Sequence, residues 1–174
     1  MNKNNCFGEF TKLKIFDPTP HIAFKPVKKI KVGEQLLGPD NNPRTVTNTC
    51  KGRGLLYKVH QTNGDSYVVN DQHILSLCYF DMAKKVYDFF DVTLLEFMHS
   101  EKYRRKWMGY SVHAFRSGVG HFGKAVEYGV YDIKKMSYLT FVNVGEEKYY
   151  GVEVDGDKKI LLRDNTVVHC SIIQ

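Results

Sequence analysis

The chain has 174 residues, of which 43% are hydrophobic and 25% are charged, and its net charge is +6. This size and balance are typical of one globular domain with its own hydrophobic core. No apolar run approaches the roughly 20 residues of a membrane span, and residues 1–5 lack the apolar core of a signal peptide. We therefore expect a cytoplasmic protein without a membrane segment.

The first half of the chain consists of short strand candidates separated by turn residues. Asn63-Gly64 is the strongest hairpin signal, because this pair suits the two-residue turn that joins antiparallel strands. Asp17–Pro20 and Gly38–Pro43 are further turn clusters. The predicted strands are Lys12–Phe16, His21–Phe24, Lys25–Lys31, Arg44–Thr49, Leu55–Gln61, Ser66–Asn70 and Ile74–Cys78.

One helix is predicted in the middle of the chain, over Thr93–Ser100. Thr93 is a candidate N-cap, and Glu96 follows at the spacing of a capping box. The basic cluster Lys102–Lys106 is interpreted as a solvated surface turn, and the Gly-rich segment 116–136 as a long loop or linker.

The last part returns to strands, which makes the predicted fold all-β. These strands are Tyr138–Val144, Lys148–Val154, Lys159–Leu162 and Thr166–His169.

The four cysteines are Cys6, Cys50, Cys78 and Cys170. No Cys-x-x-Cys pair occurs, which argues against a thiolate zinc site, and a disulfide scaffold would need a denser set. Cys50 and Cys78 lie beside apolar strands and are expected to be small buried hydrophobic residues. Cys6 and Cys170 lie near the two ends, so a nucleophile stands at each end of one domain.

A second candidate for chemistry is Asn70-Asp71-Gln72-His73, which lies between two apolar strands. On residue pattern alone, a histidine entering a strand is more often a structural hydrogen-bonding group than a catalyst. Neither pattern nor composition decides whether His73 meets the two chain ends.

Taken together, these segments resemble inteins, the self-excising domains of the Hint (hedgehog/intein) family. Cys6–Leu13 is similar to the first intein block, and Val69–Leu77 to the second, in which Asn70 replaces the usual Thr. The closing run usually ends in His-Asn, and here it ends in His169-Cys170. The other matching segments are Pro26–Gly38, Gly52–Val59, Tyr149–Asp157 and Ile160–His169.

The resemblance implies an all-β Hint fold, horseshoe-like with pseudo-two-fold symmetry and one or two short helices. It implies a mini-intein without a homing endonuclease, with a splicing domain over 6–170. Residues 1–5 and 171–174 would then be remnants of the flanking exteins. A monomer acting in cis on these flanks is expected, with no cofactor, no metal and no requirement for nucleic acid.

The resemblance also assigns roles. Cys6 attacks the Asn5 carbonyl to form a thioester, while His73 protonates the departing nitrogen and Asn70 stabilises the oxyanion. Ser171 then accepts the acyl group, and His169 assists cyclisation of a terminal Asn.

Two departures from the family matter for the C-terminal steps. Lys158 stands where the late block often has His. Cys170 stands at the position of the terminal Asn, either as its replacement, which we favour, or as the first extein residue after loss of the Asn. Because Cys has no side-chain amide, the final cleavage is expected to be blocked. If the fold brings the ends together, Cys6 and Cys170 would come within reach of a disulfide.

Two alternatives stay open at this stage. One is a Hint domain that only cleaves, like the autoprocessing part of hedgehog proteins. The other is a basic all-β module that binds nucleic acid, for which affinity would fall steeply with salt.

Overall fold

The computed structural model describes residues 5–17, 23–113 and 131–172. Strands dominate this part of the chain, and two short helices accompany them. The strands are β1 Cys6–Gly8, β2 Lys12–Ile15, β3 Ala23–Pro26, β4 Gln35–Leu37, β5 Pro43–Gln61, β6 Gly64–Asn70, β7 Ile74–Asp81, β8 Val86–Thr93, β9 Gly109–Val112, β10 Ile133–Ser137, β11 Leu139–Val154, β12 Lys159–Leu161 and β13 Val167–His169. The helices are α1 Leu94–His99 and α2 Glu101–Lys106, and Val27–Lys29 form one turn of 3₁₀ helix. The prediction of an all-β fold with one or two short helices is confirmed.

The two longest strands form the backbone of the fold. β5 has 19 residues and β11 has 16, and they pair antiparallel from Leu139 opposite Gln61 to Val154 opposite Val46. Gly145, with φ +85°, lies at a shift of register in this ladder. This left-handed backbone conformation favours glycine, so Gly145 suits the β-bulge that produces the shift of register.

These strands belong to a seven-stranded sheet in the order β11-β1-β6-β5-β4-β2-β3, with the additional pairing β11–β5. Four of the strands therefore form a closed ring in which each strand pairs with two others. These are β11, β1, β6 and β5. The short strand β1 lies between β11 and β6, with Phe7 opposite both Tyr150 and Val69. This insertion buries Cys6–Gly8 in the interior.

One main hydrophobic core joins the sheet to the rest of the molecule. It contains fully buried residues from both ends of the chain, such as Phe7, Leu13 and Val168, together with Leu94 and Phe97 of α1. Because residues far apart in sequence share this core, burial of apolar surface holds the two ends of the chain in the same region.

Local signals predicted α1 correctly. The Thr93 hydroxyl accepts a hydrogen bond from the Glu96 amide over 3.2 Å, as the capping-box spacing indicates. The basic cluster Lys102–Lys106 is not a turn, however. It lies in α2, which Ser100 caps by accepting from the Tyr103 amide over 3.2 Å, and its exposed side chains leave the interpretation as a solvated surface intact.

Three other predictions about elements are corrected. The strand predicted over Lys25–Lys31 ends at Pro26, because proline has no N–H for the ladder, and a 3₁₀ turn follows. The pairs of strands predicted at 44–61 and 138–154 are each continuous, as β5 and β11. Of the predicted loop 116–136, residues 116–130 lie outside the described part, and the chain forms β10 from Ile133 by pairing with β9.

Candidate site at the paired chain ends

The two ends of the domain lie side by side. The Asn5 amide donates a hydrogen bond to the Ser171 carbonyl oxygen over 3.1 Å. Asn5 enters β1, where Cys6 pairs with Gly151, and Ser171 follows β13, where His169 pairs with Lys159. The segments around Asn5 and Ser171 therefore meet at one site.

The side chain of Asn5 links three parts of this site. Its Nδ2 donates to the His169 carbonyl oxygen and lies 3.0 Å from Nδ1 of the His169 ring. Its Oδ1 accepts from the Ile74 amide over 2.9 Å. Sequence reasoning treated Asn5 only as the residue before the nucleophile, and no local signal identified these contacts.

Cys6 is fully buried. Its amide N–H donates to Oδ1 of Asn70 over 3.1 Å, and its Sγ lies 3.6 Å from Sγ of Cys50. The contact with Cys50 and burial both raise the pKa of the Cys6 thiol. Asn70 thus holds the nitrogen of the Asn5–Cys6 peptide bond. Its predicted role at the oxyanion would need its NH₂ group at the Asn5 carbonyl, and that role stays a prediction.

His73 lies next to these groups in a buried position. Its ring packs edge-on against Phe7 with the centroids 5.1 Å apart, and neither ring nitrogen has a hydrogen-bond partner within the described residues. The His73 amide donates to the Asn70 carbonyl over 3.2 Å, which closes the tight turn between the two residues. Burial, and secondarily the neighbouring His169, lower the pKa of His73, so its imidazole is neutral near pH 7.

The C-terminal side of the site consists of His169, Cys170 and Ser171, at and just after the end of β13. The Ser171 hydroxyl lies 3.3 Å from Nδ1 of His169, and burial lowers the pKa of that imidazole. Cys170 is fully buried, and burial raises the pKa of its thiol. All four cysteines fall within the described ranges and are thiols, so the hypothesis of a Cys6–Cys170 disulfide is not realised in this structure.

Lys158 contributes to the site through its backbone and its charge. Its carbonyl oxygen accepts a hydrogen bond from the Cys170 amide over 2.7 Å, and its φ of 65° places it in the left-handed region. The positive charge of Lys158 is one of the influences that lower the pKa of His169.

A buried ion cluster supports this end of the site. The Arg44 side chain is fully buried and forms ion pairs of 2.9 Å with both Asp40 and Asp157. Asp157 also accepts from the Lys159 amide over 3.0 Å. The cluster thereby fixes the turn that carries Lys158 and, through it, Cys170.

The structure corrects one expectation about the cysteines. Cys78 is fully buried, as predicted, and burial raises the pKa of its thiol to about 12. Cys50 is only half-buried and contacts the sulfur of Cys6. Cys50 and Cys6 are brought together by the pairing of strands that are distant in sequence. The residues around Cys50 in the sequence therefore do not indicate this contact.

Two other kinds of site are absent from the described part of the chain. Across residues 5–17, 23–113 and 131–172, no group of three or more His, Cys, Asp or Glu side chains is arranged to hold a metal ion. No helix among these residues has the length and apolar character needed to cross a bilayer.

Comparison with solved structures identifies the fold. The chain is similar to the gp41-1 intein, with a TM-score of 0.62 at 13% identity over 94% of this chain and 97% of that one. It is similar to the Ssp DnaB mini-intein variant M86, with a TM-score of 0.63 at 13% identity over 100% and 98% of the two chains. A DnaB intein from Synechocystis sp. PCC 6803 gives 0.61 at 12% identity over 96% and 99%.

The chain has the mini-intein fold. No protein-family model and no curated protein matches the sequence, so the likeness lies in three-dimensional structure. Because each chain is covered almost completely, the match to a mini-intein extends along the whole length and not over one motif.

Within this intein fold, the predicted site residues gather in one region. Asn70 contacts Cys6, and Ser171 contacts His169. His73 lies beside this region, where its ring packs against Phe7 and its amide donates to the Asn70 carbonyl. The residues that sequence reasoning did not assign to the site are the Asn5 side chain, Cys50 and Gly151.

Proposed function

We propose that the chain is a self-processing domain that rearranges its own flanking peptide bonds, as in protein splicing. The observation that carries this proposal is the hydrogen bond between the Asn5 amide and the Ser171 carbonyl. Transfer of a segment from one end of a domain to the other requires both junctions at one site. We place the splicing domain at 6–170, between flanks 1–5 and 171–174, acting in cis as a monomer.

The first step converts the Asn5–Cys6 amide into a thioester. The Cys6 sulfur adds to the Asn5 carbonyl carbon, and the C–N bond then breaks. Asn70 holds the leaving nitrogen through its N–H. His73 is buried and neutral, so it can deliver a proton from one ring nitrogen while the other takes one up.

The second step moves the acyl group to Ser171. The Ser171 hydroxyl lies 3.3 Å from Nδ1 of His169, within the range in which a neutral imidazole can receive its proton. The lowered pKa of His169 favours that neutral form. The Asn5 side chain, bound to His169, supports alignment of the acyl donor with this acceptor.

The final step distinguishes this chain from a complete splicing domain. Release of the domain requires a side-chain amide at position 170, and Cys170 has none. We therefore place the block after thioester formation or acyl transfer. The same residue favours, as a second candidate, a Hint domain that only cleaves at its N-terminal junction. No cofactor or nucleic acid takes part in either scheme.

Mass spectrometry of the purified chain after incubation with dithiothreitol or hydroxylamine tests the proposal. We expect loss of residues 1–5, because either reagent cleaves a thioester, and we expect no loss from Cys6→Ala. Resistance of the parent chain to both reagents, or equal cleavage of the Cys6→Ala variant, would contradict the proposal.

A further inference from the structure

A second thiol lies against the proposed nucleophile. Sγ of Cys50 is 3.6 Å from Sγ of Cys6, which is hydrogen-bond contact for sulfur. Cys50 has no part in the reaction scheme above. Among the described residues, it supplies the side-chain hydrogen bond that the Cys6 sulfur makes.

Gly151 makes this contact possible. In the sheet, Gly151 of β11 pairs with Cys6 on one side and with Cys50 on the other. A Cβ at position 151 would lie 2.7 Å from the Cys50 sulfur, 2.8 Å from the Cys6 sulfur and 3.4 Å from the Asn5 carbonyl oxygen. Two thiols and the carbonyl of the peptide bond to be attacked therefore share the space above one glycine.

The surroundings create a need for a base at this point. Cys6 is fully buried in an apolar cluster with Leu56 and Tyr149, and its thiolate is disfavoured there. Attack on an amide nevertheless requires that the thiol lose its proton. Cys50 is only half-buried, so it is partly exposed to solvent, whereas Cys6 is not. Cys6 on β1 and Tyr149 on β11 are the titratable groups that share this cluster with it.

We propose that Cys50 is a catalytic residue, which in its thiolate form takes the proton of the Cys6 thiol as the Cys6 sulfur adds to the Asn5 carbonyl. The inference rests on the proposed function. The C–S bond forms as the S–H bond breaks, and the Asn5–Cys6 C–N bond breaks in the following step. One proton leaves sulfur for Cys50 and one reaches the Cys6 nitrogen through His73, so the rearrangement consumes no net proton.

The first test measures the rate of dithiothreitol-induced loss of residues 1–5 in the full chain. We expect Cys50→Ala and Cys50→Ser each to lower the rate at least tenfold, in line with the effect of general bases, with an unchanged thermal unfolding midpoint. Serine keeps the size of the side chain but is not ionised near neutral pH. A Cys50→Ser rate equal to that of the parent would show that only packing matters and would overturn the proposal. Thr49→Ala, at the exposed neighbour on the same strand, is the matched control and should leave the rate unchanged.

The second test uses the glycine. Gly151→Ala places a methyl group against both sulfurs, so it should separate them and reproduce the loss seen with Cys50→Ala. The double variant should be no slower than the slower single variant, because both changes remove one interaction. Losses that multiply in the double variant would overturn the inference.

The two proposals fail in different ways. If the parent chain cleaves and Cys6→Ala does not, the proposed function stands, and unchanged rates in the Cys50 variants would reject this inference alone. If the parent chain cleaves with neither dithiothreitol nor hydroxylamine, both proposals are rejected together.

Discussion

The side-chain amide of Asn5 donates to the carbonyl oxygen of His169 and lies 3.0 Å from Nδ1 of its ring. This contact joins Asn5, the residue before the proposed nucleophile Cys6, to a histidine 164 positions later in the sequence. The same side chain accepts from the Ile74 amide. The Asn5 side chain therefore links His169 to Ile74, the residue that follows His73.

Asn5→Ala should slow dithiothreitol-induced release of residues 1–5 by about tenfold. Each lost hydrogen bond is worth about 1 kcal/mol, and about 1.4 kcal/mol corresponds to a tenfold change in rate. The rate is followed by mass spectrometry over time, with Asn63→Ala as the control, because this change removes a hydrogen bond to the Met136 carbonyl and none to the site residues. If Asn5→Ala released residues 1–5 at the rate of the parent, the hydrogen bonds of the Asn5 side chain would have no part in the reaction.

Cys170→Asn should restore the last step. We expect this variant to release a domain of residues 6–170 and to yield residues 1–5 joined to 171–174, because the introduced side-chain amide can cyclise. Adding Ser171→Ala to the Cys170→Asn variant should abolish the joined product while thiol-induced release of residues 1–5 persists. Mass spectrometry distinguishes these products. A Cys170→Asn variant that loses residues 1–5 but never joins the flanks would favour the cleavage-only alternative.

Acidification should destabilise the fold through His73 and His169. Both have a folded-state pKa below the ordinary value of about 6.5. Well above pH 6.5 both are neutral whether the chain is folded or unfolded, so they add no pH dependence there. As the pH falls below 6.5, the unfolded chain takes up protons that the folded chain does not, and the free energy of unfolding decreases.

Urea unfolding between pH 8 and pH 5 measures this effect. His73→Gln should flatten the dependence on pH, whereas His113→Gln, at an exposed position, should leave it as in the parent. A free energy of unfolding that rises on acidification from pH 6.5 would be inconsistent with buried neutral imidazoles.

Arg44→Ala should lower the free energy of unfolding by about 3–5 kcal/mol, because it leaves two carboxylates near a buried position without their counter-ion. The control is Arg105→Ala. Arg105 pairs with Glu101 on the surface of α2, with 78% and 68% of the two side chains exposed, and its loss should change the free energy by no more than about 0.5 kcal/mol. Equal effects of the two substitutions in urea unfolding would contradict a structural role for the Asp40–Arg44–Asp157 cluster.

Patterns confined to neighbouring residues were sufficient for much of the fold. Alternation of apolar residues predicted β2 and a segment of β5, and the capping box over Thr93 and Glu96 predicted α1. A hairpin turn connects β5 and β6, as predicted, but the two residues between the strands are Thr62 and Asn63, and Gly64 already begins β6. Some strands were not predicted, among them the three-residue strands β1 and β4, and the strands β8 and β9. β8 is mostly exposed and mixes apolar with charged residues, and the four residues of β9 are buried without alternation. β8 and β9 form because they pair with β7 and β10, and this pairing is not visible in their own sequences.

The sequence by itself therefore determined the strand-rich character of the chain, its hairpin and its capped helix, because each depends on backbone preferences within a few residues. Its order of motifs also carried the likeness to inteins. Only the tertiary structure decided that Asn5 meets Ser171 and His169, and that Cys50 meets Cys6 across Gly151. Those contacts follow from the register of β1, β5 and β11, which is set by hydrogen bonds and burial between strands distant in sequence.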